Sequence, residues 1–234
     1  MKGVQNISPS QKLQRALTAP ARQLASYGRM VRNRLTGRAV RPPAEPNNET
    51  LSFLSTTKCS AIAEIGVEWG STSEGILRWL NGRGVLHLFD FEDRLHVVCE
   101  RFTAEGFRNF VPHPNSRRVL DSYNWSLMEM LRDGPVPALD YVYLDGAHTW
   151  AIDGFAFCLV DRLLEVGGYI DFDDYYWTIN ESPSTNPKAF PAIRRLYTDD
   201  QMGVAQVKQV VDLLVRRSGR YEEVKPNKIF RKIK

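Results

Sequence analysis

From Glu49 onward the chain alternates short apolar runs with longer stretches in which apolar residues recur every three or four positions. Ala61–Ile65, Val85–Phe91, Leu139–Leu144 and residues 169–172 are nearly continuous in apolar character, the pattern of strands buried on both faces. Residues 117–120 read as a further short strand. The intervening segments 73–80, 95–105, 125–132 and 150–164 have helical spacing, and Gly167-Gly168 closes the last of them. Strands separated by helices of this length need crossover connections, so they build a parallel sheet with helices on both faces. The tail changes pattern: 204–216 reads as a helix, and 221–224 and 228–233 as two strands around a turn at Pro226-Asn227. The predicted architecture is α/β, a doubly wound, mostly parallel sheet closed by an antiparallel C-terminal hairpin.

The first residues do not share this pattern. Apolar residues at Leu13, Leu17, Leu24, Met30, Val31 and Leu35 have helical spacing interrupted by Pro20, which allows one or two short helices. Arg41-Pro42-Pro43-Ala44-Glu45-Pro46 then stops any helix. Residues 1–48 are accordingly a basic N-terminal helical extension with a proline-rich linker, and residues 49–234 the folded domain.

Charge sharpens this division, because the net +4 hides a segregation. Residues 1–44 hold nine of the 31 Lys and Arg and no Asp or Glu, leaving 22 basic against 27 acidic residues in the rest. An acidic body does not suit a nucleic-acid partner. For the arm three readings stand: a helix packing on another subunit of a homo-oligomer or over the active site, a polybasic membrane-surface anchor, or a cleaved targeting peptide. No apolar stretch approaches the roughly 18 to 20 residues of a membrane span, so a cytoplasmic protein is expected, with peripheral membrane contact through the arm under the second reading. Cys59, Cys99 and Cys158 are too widely spaced for a zinc site and are expected to be buried thiols.

Open α/β sheets bind ligands beyond the carboxyl ends of their strands, and here those ends are acidic and polar. They read Glu64-Ile65-Gly66-Val67-Glu68-Trp69-Gly70-Ser71-Thr72-Ser73, then Asp90-Phe91-Glu92-Asp93, Asp121-Ser122, Asp145-Gly146-Ala147-His148 and Asp173-Asp174. Gly66 and Gly70 flank a turn where a ligand can approach the backbone, and Ser71 and Ser73 offer hydroxyls at a helix start. A dinucleotide fingerprint would read G-x-G-x-x-G, whereas Val67-Glu68 bring bulk and negative charge to the pyrophosphate position. Nicotinamide cofactors are disfavoured. Carboxylates at Glu68 and Asp90 suit a ligand with an ammonium group and a ribose diol.

These motifs resemble the class I S-adenosylmethionine-dependent methyltransferases, whose fold is Rossmann-like, over roughly Cys59 to Trp177. The stretch from Ala63 to Ser73 looks like the family's first motif, implying cofactor contacts from Glu64, Gly66, Glu68, Gly70, Ser71 and Ser73. Leu88-Phe89-Asp90-Phe91-Glu92 is similar to the second, whose acid grips the ribose. Asp121-Ser122 looks like the adenine contact, with a plain turn as the competing reading. Tyr143 to His148 together with Gly167 to Tyr175 most resembles the branch of macrocin-type and related sugar O-methyltransferases. That likeness implies a hydroxyl of a sugar or sugar-bearing metabolite as acceptor, Asp145 in the cofactor and catalytic site, and a divalent metal such as magnesium on Asp145, Asp173 and Asp174.

A charge argument runs the same way, since converging carboxylates raise one another's pKa unless a cation joins them. Contacts without metal are the alternative. His148 lies three residues after Asp145, close enough to serve as general base, although metal-dependent relatives often carry an acid where this chain has Ala147. A histidine merely bonded at a helix start is the competing reading. His87 is expected to be a satisfied core residue, and His96 and His113 have no evident companion acid. Tyr175, Tyr176 and Trp177 are candidates to face a sugar ring, and residues 180–192, rich in proline, to form a lid. Two rivals remain: methylation of an amine or phenol on the same fold, and a non-catalytic module that retains it.

Overall fold

The structure is a computed structural model that describes residues 45–234. The basic arm expected over residues 1–44 lies outside the described residues. The compact unit runs from Glu45 to Lys234, so the last residues assigned to the linker belong to the fold. Asn47 caps helix α1 (Asn48–Leu54), its side chain accepting from the Thr50 amide.

The following elements are β1 (Ala61–Ile65), α2 (Ser71–Leu80), β2 (Val85–Phe91), α3 (Glu92–Ala104), β3 (Phe110–Asn115), α4 (Tyr123–Asp133), β4 (Leu139–Leu144), α5 (Trp150–Leu163) and β5 (Leu164–Phe172). Short helices α6 (Asp199–Gly203) and α7 (Gln206–Val210) precede a hairpin of β6 (Tyr221–Lys225) and β7 (Ile229–Lys232). The seven strands lie in the order β3-β2-β1-β4-β5-β7-β6. β1 to β5 pair in parallel and β7 runs antiparallel to β5 and β6. The doubly wound sheet with its hairpin edge is therefore as read from the pattern.

Period-two alternation feeds two cores. In β1, Ala63 and Ile65 join one apolar cluster with Leu127 of α4 and Phe157 and Val160 of α5. Ile62 joins the other with Leu54, Ile76, Leu77, Val98 and Phe102 from α1, α2 and α3. β4 divides likewise, Val142 and Leu144 to the first and Tyr141 and Tyr143 to the second. Burial on both faces explains why these strands read as continuous apolar runs.

The third strand differs from expectation. Residues 117–120 form no strand, and Val119 and Leu120 are 92% and 98% exposed. β3 is instead Phe110–Asn115, with Pro112 and Pro114 inside it. Proline is tolerated there because β3 is the sheet edge, paired only with β2, where a missing N–H costs no ladder bond and discourages further strand addition. Gly167-Gly168 also fails to end a helix: β5 begins at Leu164, directly after α5, and Gly168 lies within it because a Cβ there would come 2.8 Å from the Asp140 carbonyl oxygen. The helix expected over 204–216 is a single α turn, Gln206–Val210, continued by a π turn, Val211–Val215. Cys158 is exposed and Cys59 and Cys99 half-buried, so the three are free thiols and not core residues. Among the described residues no helix is long and apolar enough to cross a membrane.

Candidate active site

β1 has β2 on one side and β4 on the other, so the crossovers diverge there and leave a crevice at the carboxyl ends. It holds a cavity of about 340 Å³, within the range of small-molecule sites. Gly66, Glu68, Asp90, Asp121, Ser122, Asp145 and His148 line it. Glu64, Gly70, Ser71 and Ser73 do not: Glu64 is 2% exposed and accepts from the Ser73 hydroxyl inside the fold. Burial pushes its carboxyl up to about 8, with the Ser73 bond pulling it back.

The two glycines serve the protein's own packing. A Cβ on Gly66, at φ 93°, would lie 1.8 Å from the Asp145 carbonyl oxygen, and one on Gly70 would meet Val98 and Phe102 of α3 at 2.8 and 3.0 Å. The loop is held from the other side by Asp90, whose Oδ2 accepts from the amides of Val67 and Glu68 at 2.9 and 2.8 Å. Arg94 sits 3.6 Å from the same oxygen. Asp90 thus shapes the loop as well as facing the cavity. Asp121 follows a turn instead of a strand end. Its Oδ2 accepts from the Ser116 amide and hydroxyl at 2.7 and 2.5 Å, bonds that hold its carboxyl below the usual range. Ser122 caps α4, accepting from the Asn124 amide at 3.3 Å.

At the far end of the cavity two carboxylates and an imidazole converge. His148 Nε2 is 3.2 Å from Asp145 Oδ1 and 3.1 Å from Asp174 Oδ2. Neither contact has hydrogen-bond alignment, and among the described residues buried Nε2 has no hydrogen-bond partner. One ligand atom from each of Asp145, His148 and Asp174 lies within 4.8 Å of the others. Burial, then the charges of Asp173 and Asp174, push the Asp145 carboxyl well above its ordinary value, and burial chiefly raises Asp174. His148 and Asp174 have φ of 56° and 54°, as Glu68 has 47°, so among the described residues three of the five non-glycine positions in the left-handed region surround this site. Asn, Asp and His tolerate this region better than other side chains, so Glu68 is the position of greatest strain. Backbone strain of this kind concentrates at functional sites.

Asp173 does not join the trio. Its Oδ1 is 3.7 Å from Lys228 Nζ, and its Oδ2 lies 2.8 Å from the Tyr143 hydroxyl and 3.3 Å from Asn47 Nδ2. Lys228, 8% exposed just before β7, also pairs with the fully buried Asp171 at 2.9 Å. A buried cation from the hairpin has drawn Asp173 away, and nothing near Asp173 in the chain announces it. Of the three aromatics, Tyr175 is buried and bonded to Asp212 at 2.9 Å, Tyr176 is 69% exposed, and only Trp177 meets the site, its ring 5.1 Å from that of His148. Trp177 packs with Ile179, Ile193, Met202 and Tyr197 in a small cluster of its own, drawn from either side of the 180–192 segment. His87 and His113 are companions across β2 and β3, 2.9 Å apart through ring nitrogens. Tyr123, Asn115 and Arg94 also line the cavity; Asn115 was out of reach without the true third strand.

The fold so built is the Rossmann-like methyltransferase fold, and solved structures share it. The O-methyltransferase TomG of Streptomyces achromogenes, involved in tomaymycin synthesis and solved with SAM, is 20% identical, with a TM-score of 0.54 over 84% of this chain and 82% of its own. An O-methyltransferase from Bacillus cereus, in complex with SAH, is 15% identical with a TM-score of 0.55, over 82% of this chain and 84% of its own. The SAH-bound methyltransferase PaMTH1 of Podospora anserina is 15% identical with a TM-score of 0.53, over 100% of both chains. No family model matches the sequence, and no curated protein matches it.

Proposed function

We propose that this chain is an S-adenosylmethionine-dependent O-methyltransferase acting on a hydroxyl of a sugar or other small glycosidic metabolite. The observation that carries this reading is the continuity of the cavity from Glu68, Asp90 and Asp121 to Asp145 and His148, which meet Asp174 just beyond the lining. The neighbours solved with SAM or SAH are O-methyltransferases on this fold and lend it support. The cavity has carboxylates for an ammonium and a ribose and no glycine-rich phosphate cradle, which fits S-adenosylmethionine. When bound, that cofactor supplies an electrophilic methyl group on sulfonium sulfur.

The chain's residues must then bind the acceptor beside the trio and remove a hydroxyl proton. His148 Nε2 is the nitrogen aimed there. A divalent cation held by Asp145, His148 and Asp174 would take that lone pair instead, so base and ligand are alternative roles for Nε2; the cation would relieve the repulsion between the two carboxylates and lower the pKa of an acceptor hydroxyl enough for solvent to take its proton. A ligand set with imidazole suits manganese, iron or zinc better than the all-oxygen set expected for magnesium. A hydrogen bond from Tyr143 and the nearby Lys228, which it shares with Asp171, hold Asp173 where it braces the site.

Calorimetry with S-adenosylhomocysteine and radiolabelled methyl transfer to glycosides bearing vicinal hydroxyls test the reading, with and without chelator. Binding with transfer to oxygen is expected. A folded protein that binds no S-adenosylhomocysteine refutes it, and transfer only to amines refutes the acceptor.

A further inference from the structure

His148 has a left-handed backbone, which histidine adopts more readily than most side chains but still in a minority of cases, so its neighbours help to set it. Behind it lies Asp153, 1% exposed, in the first turns of α5. Asp153 Oδ1 accepts from the Ala147 amide at 3.2 Å, and Oδ2 from the Thr149 amide at 3.0 Å. These are the residues on either side of His148. The Tyr123 hydroxyl donates to Oδ1 and itself accepts from the Ala147 amide at 3.0 Å. The arrangement is closed from behind, since a Cβ on Gly146 would lie 2.4 Å from the Tyr123 oxygen and 2.9 Å from Asp153 Oδ1.

Helix capping accounts for only half of this. Thr149 stands at the N-cap with its own hydroxyl unpartnered, and Asp153 Oδ2 takes its amide in a cap-like bond. Ala147 lies outside the helix, beyond His148, and has no part in a cap. We propose that Asp153 is a positioning residue: by gripping the amides on both sides of His148 it holds the imidazole between Asp145 and Asp174. The inference rests on the active-site reading above. Both carboxylate oxygens are needed, because an asparagine offers one acceptor and turns an N–H donor toward the other amide.

Asp153→Asn keeps the volume and removes one acceptor. In full-length protein with 15N-labelled histidine, His148 is one of four imidazoles and is assigned by its loss in His148→Gln. With S-adenosylhomocysteine bound, Asp153→Asn is expected to move the His148 signals while those of His87, His96 and His113 stay in place. Affinity for S-adenosylhomocysteine should hold within about threefold while turnover drops on the order of 100-fold at unchanged KM for S-adenosylmethionine, the scale of a misplaced catalytic group. An unmoved His148 signal in the folded variant overturns the proposal, whether or not methyl transfer occurs. Wild-type protein that binds no S-adenosylhomocysteine refutes the activity reading instead, and the ligand-free spectra still test Asp153. If Asp153→Asn does not fold, amide hydrogen exchange of the wild-type protein carries the test: the Ala147 and Thr149 amides, which Asp153 holds, should be strongly protected, and exchange at the rate of free loop amides overturns the proposal.

Discussion

Gly66 is the position where cofactor binding and protein packing can be separated by experiment. Its φ of 93° is one that an alanine adopts only at a cost of about 1–2 kcal/mol. In addition, the new Cβ would lie 1.8 Å from the Asp145 carbonyl oxygen and 2.6 Å from its carbon, backbone atoms that no rotamer change can move. Overpacking of this kind costs about 1–3 kcal/mol, and a rigid neighbour puts it at the upper end. Gly66→Ala should therefore destabilise by about 4–5 kcal/mol, which at roughly 2–4 °C per kcal/mol lowers Tm by about 8–20 °C. Gly82 supplies the control, since its φ is 76° and nothing lies within 4 Å of a Cβ. Gly82→Ala meets only the conformational cost, about 1–2 kcal/mol, and loses about 2–8 °C. Thermal unfolding in the absence of any ligand measures both. Equal losses would refute the packing argument and leave Gly66 as a ligand-facing glycine alone.

Asp174→Ala should retain S-adenosylhomocysteine binding, because Asp174 is absent from the cavity lining, yet cut turnover and weaken Mn2+ binding measured by EPR; equal loss of cofactor affinity would contradict the site as drawn. Lys228→Met strands the carboxylate of Asp171, which burial already raises and Lys228, Tyr141 and Thr50 pull back. A broken buried pair costs about 3–5 kcal/mol, visible in urea unfolding as a lower midpoint at unchanged slope. Burial, with His87 beside it, lowers His113 to about 4. The unfolded chain takes up this proton near its ordinary value of 6.5 and the folded protein only near 4, so stability is complete above that window and is lost as pH falls through it. His113→Phe, which preserves the stack on Phe89, should flatten Tm between those limits; an unchanged slope would discount the pair.

The bounds of β1, β2 and β4 were legible in the sequence because each is buried on both faces and apolar along its length. Helix-length gaps between them, joined to the rule that parallel strands need crossovers, then determined the doubly wound sheet and the end at which ligands bind. Gly66, Glu68, Asp90 and Asp145 could be nominated from that alone, because a residue's distance from a strand end is a local property. β3 was illegible, since Pro112 and Pro114 are acceptable only at an edge, and edge status belongs to the whole sheet. Tertiary structure alone decided the partners of each acid. Lys228, 55 residues beyond Asp173, is shared between it and Asp171, while His148 and Asp174 meet across two loops. Asp153 grips both amides beside His148 only because α5 turns it back on the loop. Charge interactions act over a few ångströms irrespective of chain separation, so one sequence can nominate which carboxylates matter without revealing which of them a buried cation has already taken.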